Sequence, residues 1–168
     1  MDYLSKKERD ALEAEGVHSD MKAVVARTLE LLESGGSGVR VYVFQTLRTE
    51  GEQAKLVKSG KSKRMDSRHL TGHAVDLTPR TELGRPSWPD DWKGVWEIAG
   101  AIRTAAAQLG VPLVWGACWC RIDNTSAPLR ELVEDYKRRK RQQGKTPFLD
   151  GVHFELFEKA YPNPAQAA

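Results

Sequence analysis

Two short apolar runs each place an ionisable residue where a strand would bury it. "AVDL" (74–77) and "GVHFEL" (151–156) are rich in the residue types that favour strands, whose side chains alternate between two faces. Ala74 and Asp76 therefore share one face and Val75 and Leu77 the other. His153 and Glu155 share one face, while Val152, Phe154 and Leu156 take the opposite one. A carboxylate or imidazole set in an apolar strand needs a partner, because taking it out of water unpaired is costly. The two runs read as two walls of one polar site on an apolar backing. On the residues alone, a metal ion and a buried hydrogen-bond network are both adequate partners.

The first run continues a longer stretch, "SRHLTGHAVDL" (67–77), which holds two of the four histidines. On a helix, His69 and His73 would face one metal at i and i+4. Gly72 between them, together with Thr71 and Val75, disfavours a helix, and no apolar stripe accompanies them. Leu70 also follows His69 where a helical two-histidine zinc motif carries Glu. The stretch reads as a loop entering a strand, with His69 at the loop end and Asp76 within the strand. A catalytic zinc site draws three ligands from the protein and keeps a fourth position open. Near 70 the chain offers two candidates, and "LDGVHFEL" offers a distant third.

The rest of the chain supplies helices and further strands. Ser5 with Glu8 and Thr49 with Glu52 are capping boxes opening two short helices. Asp20 is placed to cap a helix whose Met21, Val24, Val25, Thr28 and Leu32 share a face. "VRVYVFQ" (39–45) is a strand. The helix from Trp92 turns Val95, Ile98, Ala99, Ile102, Ala105, Ala106 and Leu109 inward. "VPLVWGACW" is a strand and its exit. A last helix within 121–149 buries Leu129, Leu132, Val133 and Tyr136. The order α-α-β-α-β-α-β-α-β, without repeats or a linker, predicts a single α+β domain over 1–168 around a small, mostly antiparallel sheet flanked by helices.

With 168 residues, 40% of them hydrophobic and 29% charged, the chain can bury a sizeable core. The charged N-terminus has no apolar core, so no secretory signal is expected. Cys118 and Cys120 are too few and too close for a disulfide framework. They read as small buried apolar residues in a strand, with a Cys-x-Cys metal pair as the alternative. The net charge of +3 is modest but clustered. Lys55, Lys58, Lys61, Lys63, Arg64 and Arg68 cluster before and at the start of the histidine stretch, and Lys137, Arg138, Arg139, Lys140 and Arg141 run without a break. Such patches attract polyanions or simply form a solvated face. No nucleic-acid recognition motif accompanies them, so no nucleic acid is expected as partner.

"SRHLTGHAVDL" and "DGVHFEL" together resemble the paired signatures of the zinc peptidases that include D-alanyl-D-alanine peptidases and phage L-alanyl-D-glutamate endolysins. "TLRTEGEQAKLVKSGKS" resembles the arginine-bearing segment before the first signature, and "GVHSDMKAVVARTLEL" and "LVWGACW" resemble the endolysin branch. The similarity runs over most of residues 15–160. It implies a Hedgehog/D,D-peptidase-like fold and a Zn2+ ion held by His69, Asp76 and His153. His73 is then a non-ligand, and His18 a structural helix-entry residue. The family's general base falls on Asp150, with Glu155 as second choice for base or otherwise orienting a ligand. Arg48 falls on the family's arginine and is suited to an oxyanion, with a salt bridge as its alternative role. Ser67 holds the loop or meets substrate. Cobalt or manganese would also suit the ligand set.

One departure from that pattern stands out. Trp115 and Asp150 are 35 residues apart, where endolysins of the branch have only a few between the Trp-Gly strand and the second signature. The extra segment, about 121–149, carries the helix and the basic run. It is expected near the cleft mouth, contacting anionic wall or membrane through Lys137–Arg141. The resemblance implies a monomeric endopeptidase that cuts the stem peptide of peptidoglycan. Such an enzyme is made in a host cytoplasm and acts on the wall after release. The alternatives are a D-alanyl-D-alanine carboxypeptidase or dipeptidase, and a non-catalytic zinc-containing wall-binding module.

Overall fold

The computed structural model describes residues 4–62 and 64–163. Lys63 and the end of the Pro- and Ala-rich tail lie outside them. The helices are α1 (Lys6–Glu13), α2 (Ser19–Ser34), α3 (Glu50–Lys58), α4 (Trp92–Leu109) and α5 (Leu129–Gln142). The strands are β1 (Val41–Gln45), β2 (Ala74–Pro79), β3 (Leu113–Trp115), β4 (Cys120–Arg121) and β5 (His153–Leu156). The sheet order is β1-β2-β5-β3-β4 and every neighbouring pair is antiparallel.

Both capping boxes form, Ser5 with Glu8 and Thr49 with Glu52. Alternation along β2 and β5 sends Val75, Leu77, Phe154 and Leu156 to one side, joined by Leu113 and Trp115 of β3, all within one buried apolar cluster. Helix α4 lies against β2 and β3, and α2 and α5 lie against α4. The opposite side of β2 and β5 carries Asp76, His153 and Glu155, with Asp76 paired to His153 and Ala74 to Glu155 in the register.

Four expectations need correction. β4 is a fifth strand that the residue pattern did not announce. The chain reverses after Trp115 through a tight turn that ends at Trp119, whose φ is +48°. Cys118 accordingly sits buried in that turn rather than in a strand, and Cys120 opens β4, half-buried. Helix α2 is capped by His18, whose Nδ1 accepts from the Asp20 amide at 3.1 Å, and not by Asp20. The Asp20 carboxylate instead accepts from the Tyr161 hydroxyl at 2.7 Å, a contact 141 residues away in sequence. Leu109, placed inward by periodicity, is 45% exposed because α4 ends there and Gly110 turns the chain away.

Two glycines bring the site together. Gly72 has φ +67°, and a Cβ on it would stand 1.8 Å from the Gly16 carbonyl oxygen, so the histidine loop packs flush against the entry to α2. The Gly72 carbonyl accepts from the His18 amide across that contact. Gly116, just past β3, admits the Asp150 backbone. A Cβ there would meet the Asp150 carbonyl oxygen at 2.5 Å and the His153 Cβ at 3.0 Å.

Candidate metal centre

His69 belongs to a single 3-10 turn, Arg68–Thr71, capped by Ser67, whose hydroxyl faces the His69 amide at 3.4 Å. The turn lifts His69 over the end of β2. His69 Nε2 lies 3.1 Å from Asp76 Oδ1 and 3.2 Å from His153 Nδ1, and His153 Nδ1 lies 3.0 Å from the same Asp76 oxygen. All three residues are buried.

The outer nitrogens determine what these three atoms can be. His69 Nδ1 is 2.7 Å from the Thr46 carbonyl, an acceptor only, so Nδ1 carries the proton. His153 Nε2 is 3.0 Å from Glu155 Oε2, likewise an acceptor. In their neutral forms both rings therefore point bare lone pairs at a carboxylate oxygen. Three acceptors converging within about 3 Å repel unless a cation sits among them. Ligands held at about 2.0–2.1 Å in a tetrahedron stand roughly 3.3 Å apart, close to the three separations here. The donor set and its spacing thus fit a small divalent ion, with Thr46 and Glu155 orienting the two imidazoles.

Electrostatics point the same way. Burial alone would raise the Asp76 carboxyl, but the His69 charge and the His153 hydrogen bond outweigh it and hold the carboxyl far below the usual range. Burial alone would lower the His153 ring, but Asp76 and Glu155 push it up to about 10. Without a metal, a proton on His153 supplies the positive charge that the pocket demands.

Asp150 stands beside this cluster. Its backbone amide donates to the Gly116 carbonyl at 3.1 Å and its carbonyl accepts from the His153 amide at 3.2 Å. Burial and then the Asp76 charge push its carboxyl above the ordinary value, against His153, His69 and Arg48. Gly116 thus lets the Asp150 backbone pack close against the end of β3.

Arg48 reaches the far side of Asp76, with NH2 3.9 Å from Asp76 Oδ2. Its Nε donates to Gln45 Oε1 at 3.1 Å, as does NH2, and NH1 donates to Gln53 Oε1 at 2.7 Å and faces Ser67 Oγ at 3.4 Å. Of its five N–H groups, one on NH2 remains for another acceptor. Gln45 stands there because β1 bulges between Val43 and Gln45, which sets it opposite Asp76.

His73, four residues from His69, turns away. Its Nδ1 is 2.9 Å from the Thr71 hydroxyl and its ring lies 5.0 Å from that of His18. Burial, with Arg68 and His18, lowers its pKa.

The sequence reading missed Trp119, Thr46, Gln45 and Gln53. Trp119 lays its indole 5.6 Å from the His153 ring and donates from Nε1 to the Phe148 carbonyl at 2.9 Å. A large aromatic between two cysteines at a strand exit was the available signal for it. Thr46 acts through its backbone and leaves no trace in residue type. The 121–149 segment delivers Phe148 to this wall. Tyr136 of α5 accepts from the Phe148 amide at 3.3 Å and donates to its carbonyl at 3.2 Å. Within the basic run, Lys137 pairs with Glu134 and Arg138 with Asp135. The cationic excess therefore gathers at the end of α5, around Arg139, Lys140 and Arg141.

Residues 2–157 match the profile of a family described as phage L-alanyl-D-glutamate peptidase. The chain is 31% identical over 106 residues to the L-alanyl-D-glutamate peptidase of Escherichia phage T5, covering 61% of this chain and 72% of that one. It is 42% identical over 98 residues to the L-alanyl-D-glutamate peptidase of Listeria phage A118, covering 58% of this chain and 32% of that one. The solved structure of the Serratia marcescens L-Ala D-Glu endopeptidase ChiX superposes with a TM-score of 0.66 at 30% identity, over 95% of this chain and 93% of that one. With the profile spanning nearly the whole chain and the fold shared with ChiX, the protein belongs to the phage L-alanyl-D-glutamate peptidase family.

Proposed function

We propose that this protein is a zinc-dependent endopeptidase that cuts the L-alanyl-D-glutamate bond in the stem peptide of peptidoglycan. The observation that carries the reading is the convergence of three acceptor atoms, from His69, Asp76 and His153, with Asp150 alongside. When bound, a zinc ion there supplies Lewis acidity and makes water nucleophilic near neutral pH. His69, Asp76 and His153 hold it, and Thr46 and Glu155 keep the two imidazoles in the ligating tautomer. Glu155 is committed to His153, which favours Asp150 as the general base. Its raised pKa suits it to take a proton from the attacking water and pass it to the leaving amine. Arg48, clamped by Gln45, Gln53 and Ser67, steadies the Asp76 charge. Its remaining NH2 hydrogen is the donor available to a developing oxyanion.

The same reading makes 1–168 one catalytic domain acting as a monomer, with 121–149 as an inserted segment. The cationic end of α5 would hold anionic wall or membrane. The protein would be made in a host cytoplasm and reach the wall after release. No helix among the described residues is long and apolar enough to cross a membrane.

The test is digestion of purified peptidoglycan by the zinc-loaded protein, with a chelated control, and mass spectrometry of the products. A new D-glutamate amino terminus, absent with chelator, is expected. Free D-alanine instead would make the protein a carboxypeptidase. No product with zinc still bound would leave a wall-binding module.

A further inference from the structure

Cys118 and Cys120 take no part in the metal centre, yet they flank a residue that touches it. Their sulfurs lie 3.3 Å apart in the turn between β3 and β4. Between them Trp119 holds φ +48°, a region a bulky residue enters only under constraint, and its ring lies against that of His153. We propose that Cys118 and Cys120 form a thiol–disulfide exchange site, and that closing the disulfide displaces Trp119 from the metal centre and slows hydrolysis.

The chemistry needs a low-molecular-weight disulfide, RSSR, as oxidant. The Cys120 thiolate attacks one sulfur of RSSR, forming a mixed disulfide and releasing RS⁻, which takes up a proton. The Cys118 sulfur, giving up its proton, then attacks Cys120 Sγ and releases the second RS⁻. Overall, two protein thiols and RSSR become one protein disulfide and two RSH. The surroundings suit the two roles. Cys120 is half-buried and Cys118 fully buried, so Cys120 is the more accessible of the two thiols. The contact with Cys118, aided by the charge of Arg139, lowers the Cys120 pKa to about 7, and Cys118 is pushed up in return. Loss of the Cys120 thiolate in the mixed disulfide removes the largest of the causes that suppress ionisation of Cys118, leaving burial.

Closure has a mechanical consequence. The sulfurs must approach by about 1.2 Å to reach bonding distance of about 2.05 Å, from 3.3 Å. Both cysteines are bonded neighbours of Trp119, which is pinned at Nε1 to the Phe148 carbonyl, so the movement strains that anchor and the indole on His153. In a reducing compartment the pair stays as thiols; in oxidising surroundings it can close.

The test incubates the zinc-loaded protein with oxidised glutathione and reads intact mass, tryptophan fluorescence and hydrolysis. Wild type should lose two hydrogens, Cys118→Ala should stop at one added glutathione on residue 120, and Cys120→Ala should gain neither. The fluorescence change on oxidation should vanish in Trp119→Phe. Hydrolysis should fall by up to roughly 100-fold at unchanged zinc content and recover with a dithiol reductant. Wild type without an internal disulfide overturns the exchange site, and an internal disulfide with unchanged fluorescence and rate overturns its link to the metal centre. The rate readout rests on the peptidase reading, but the mass and fluorescence readouts do not. A protein inactive when reduced would fail that reading and leave the exchange site standing.

Discussion

Asp76 and Leu77 are neighbours on β2, as His153 and Phe154 are on β5, yet the two faces of these strands are held by different physics. On one face Leu77, Phe154 and Leu156 lie in an apolar cluster against α4, where any residue of the right volume and polarity satisfies its surroundings. On the other, Asp76 and His153 depend on partners from two other segments: His69 from the 3-10 turn, itself held by the Thr46 carbonyl, and Arg48 from the stretch after β1, held by Gln45. Loss of a core residue should therefore appear as lost stability with the chemistry intact in the surviving folded fraction. Loss on the polar face should appear as lost chemistry in a folded protein.

The largest expected effect is from His153→Ala, which removes one of the three proposed ligands and should abolish zinc binding and hydrolysis together. Retention of stoichiometric zinc by the variant would show that the three-residue centre is wrongly drawn. Asp150→Asn comes next. It should keep zinc and fold while hydrolysis falls by about 10²- to 10⁴-fold, the scale of a lost general base. Full activity would move the base elsewhere, with Glu155 the next candidate.

Phe154→Ala tests the opposite face. Phe154 is fully buried and stacks on Trp115, so the variant should lose about 3–5 kcal/mol in denaturant unfolding, with zinc affinity unchanged in the folded fraction. A change in zinc affinity of the same size would mean that the faces are not independent. Glu155→Gln should be milder, weakening zinc about 10- to 100-fold without a matching loss of fold, since its carboxylate acts through the His153 ring.

The most gradual effect is a slope with pH. In the metal-free protein the raised His153 pKa contributes stability that is complete below its unfolded value near 6.5 and is lost as pH rises toward about 10. The depressed Asp76 adds stability above its unfolded value near 3.9 and loses it as pH falls below that. Zinc held at the proposed centre would compete with the His153 proton, so its binding should tighten over the same upper window. Between about pH 6.5 and 9, this pair's contribution to the melting temperature should fall with chelator and the increment from zinc should grow. Parallel curves with and without zinc would show that His153 is not the shared site of proton and metal.

Much of this centre is visible in the chain because its signals are local. Strand alternation alone puts Asp76 on the face opposite Leu77, and His153 and Glu155 opposite Phe154, as the register confirms. The capping boxes of Ser5 and Thr49 are equally local, each needing only a side chain three residues on. His18 shows the limit. Its place at the start of α2 was legible, but Asp20 was the better cap by residue type, until Tyr161, at the other end of the chain, drew its carboxylate away.

By itself the sequence determined which residues share a face, where helices begin, and, through its paired signatures, the family. Those are properties of backbone geometry and near neighbours. Only the tertiary structure decided the rest. Gly72 presses the histidine loop onto Gly16, and Gly116 admits Asp150. The bulge in β1 aims Gln45 toward Asp76, and a carbonyl at Thr46 selects the His69 tautomer. The buried Glu8 finds Arg80, 72 residues on. Each of these depends on the distance between backbones far apart in the chain, and no residue type encodes that distance, because it is the sum of all the packing between them.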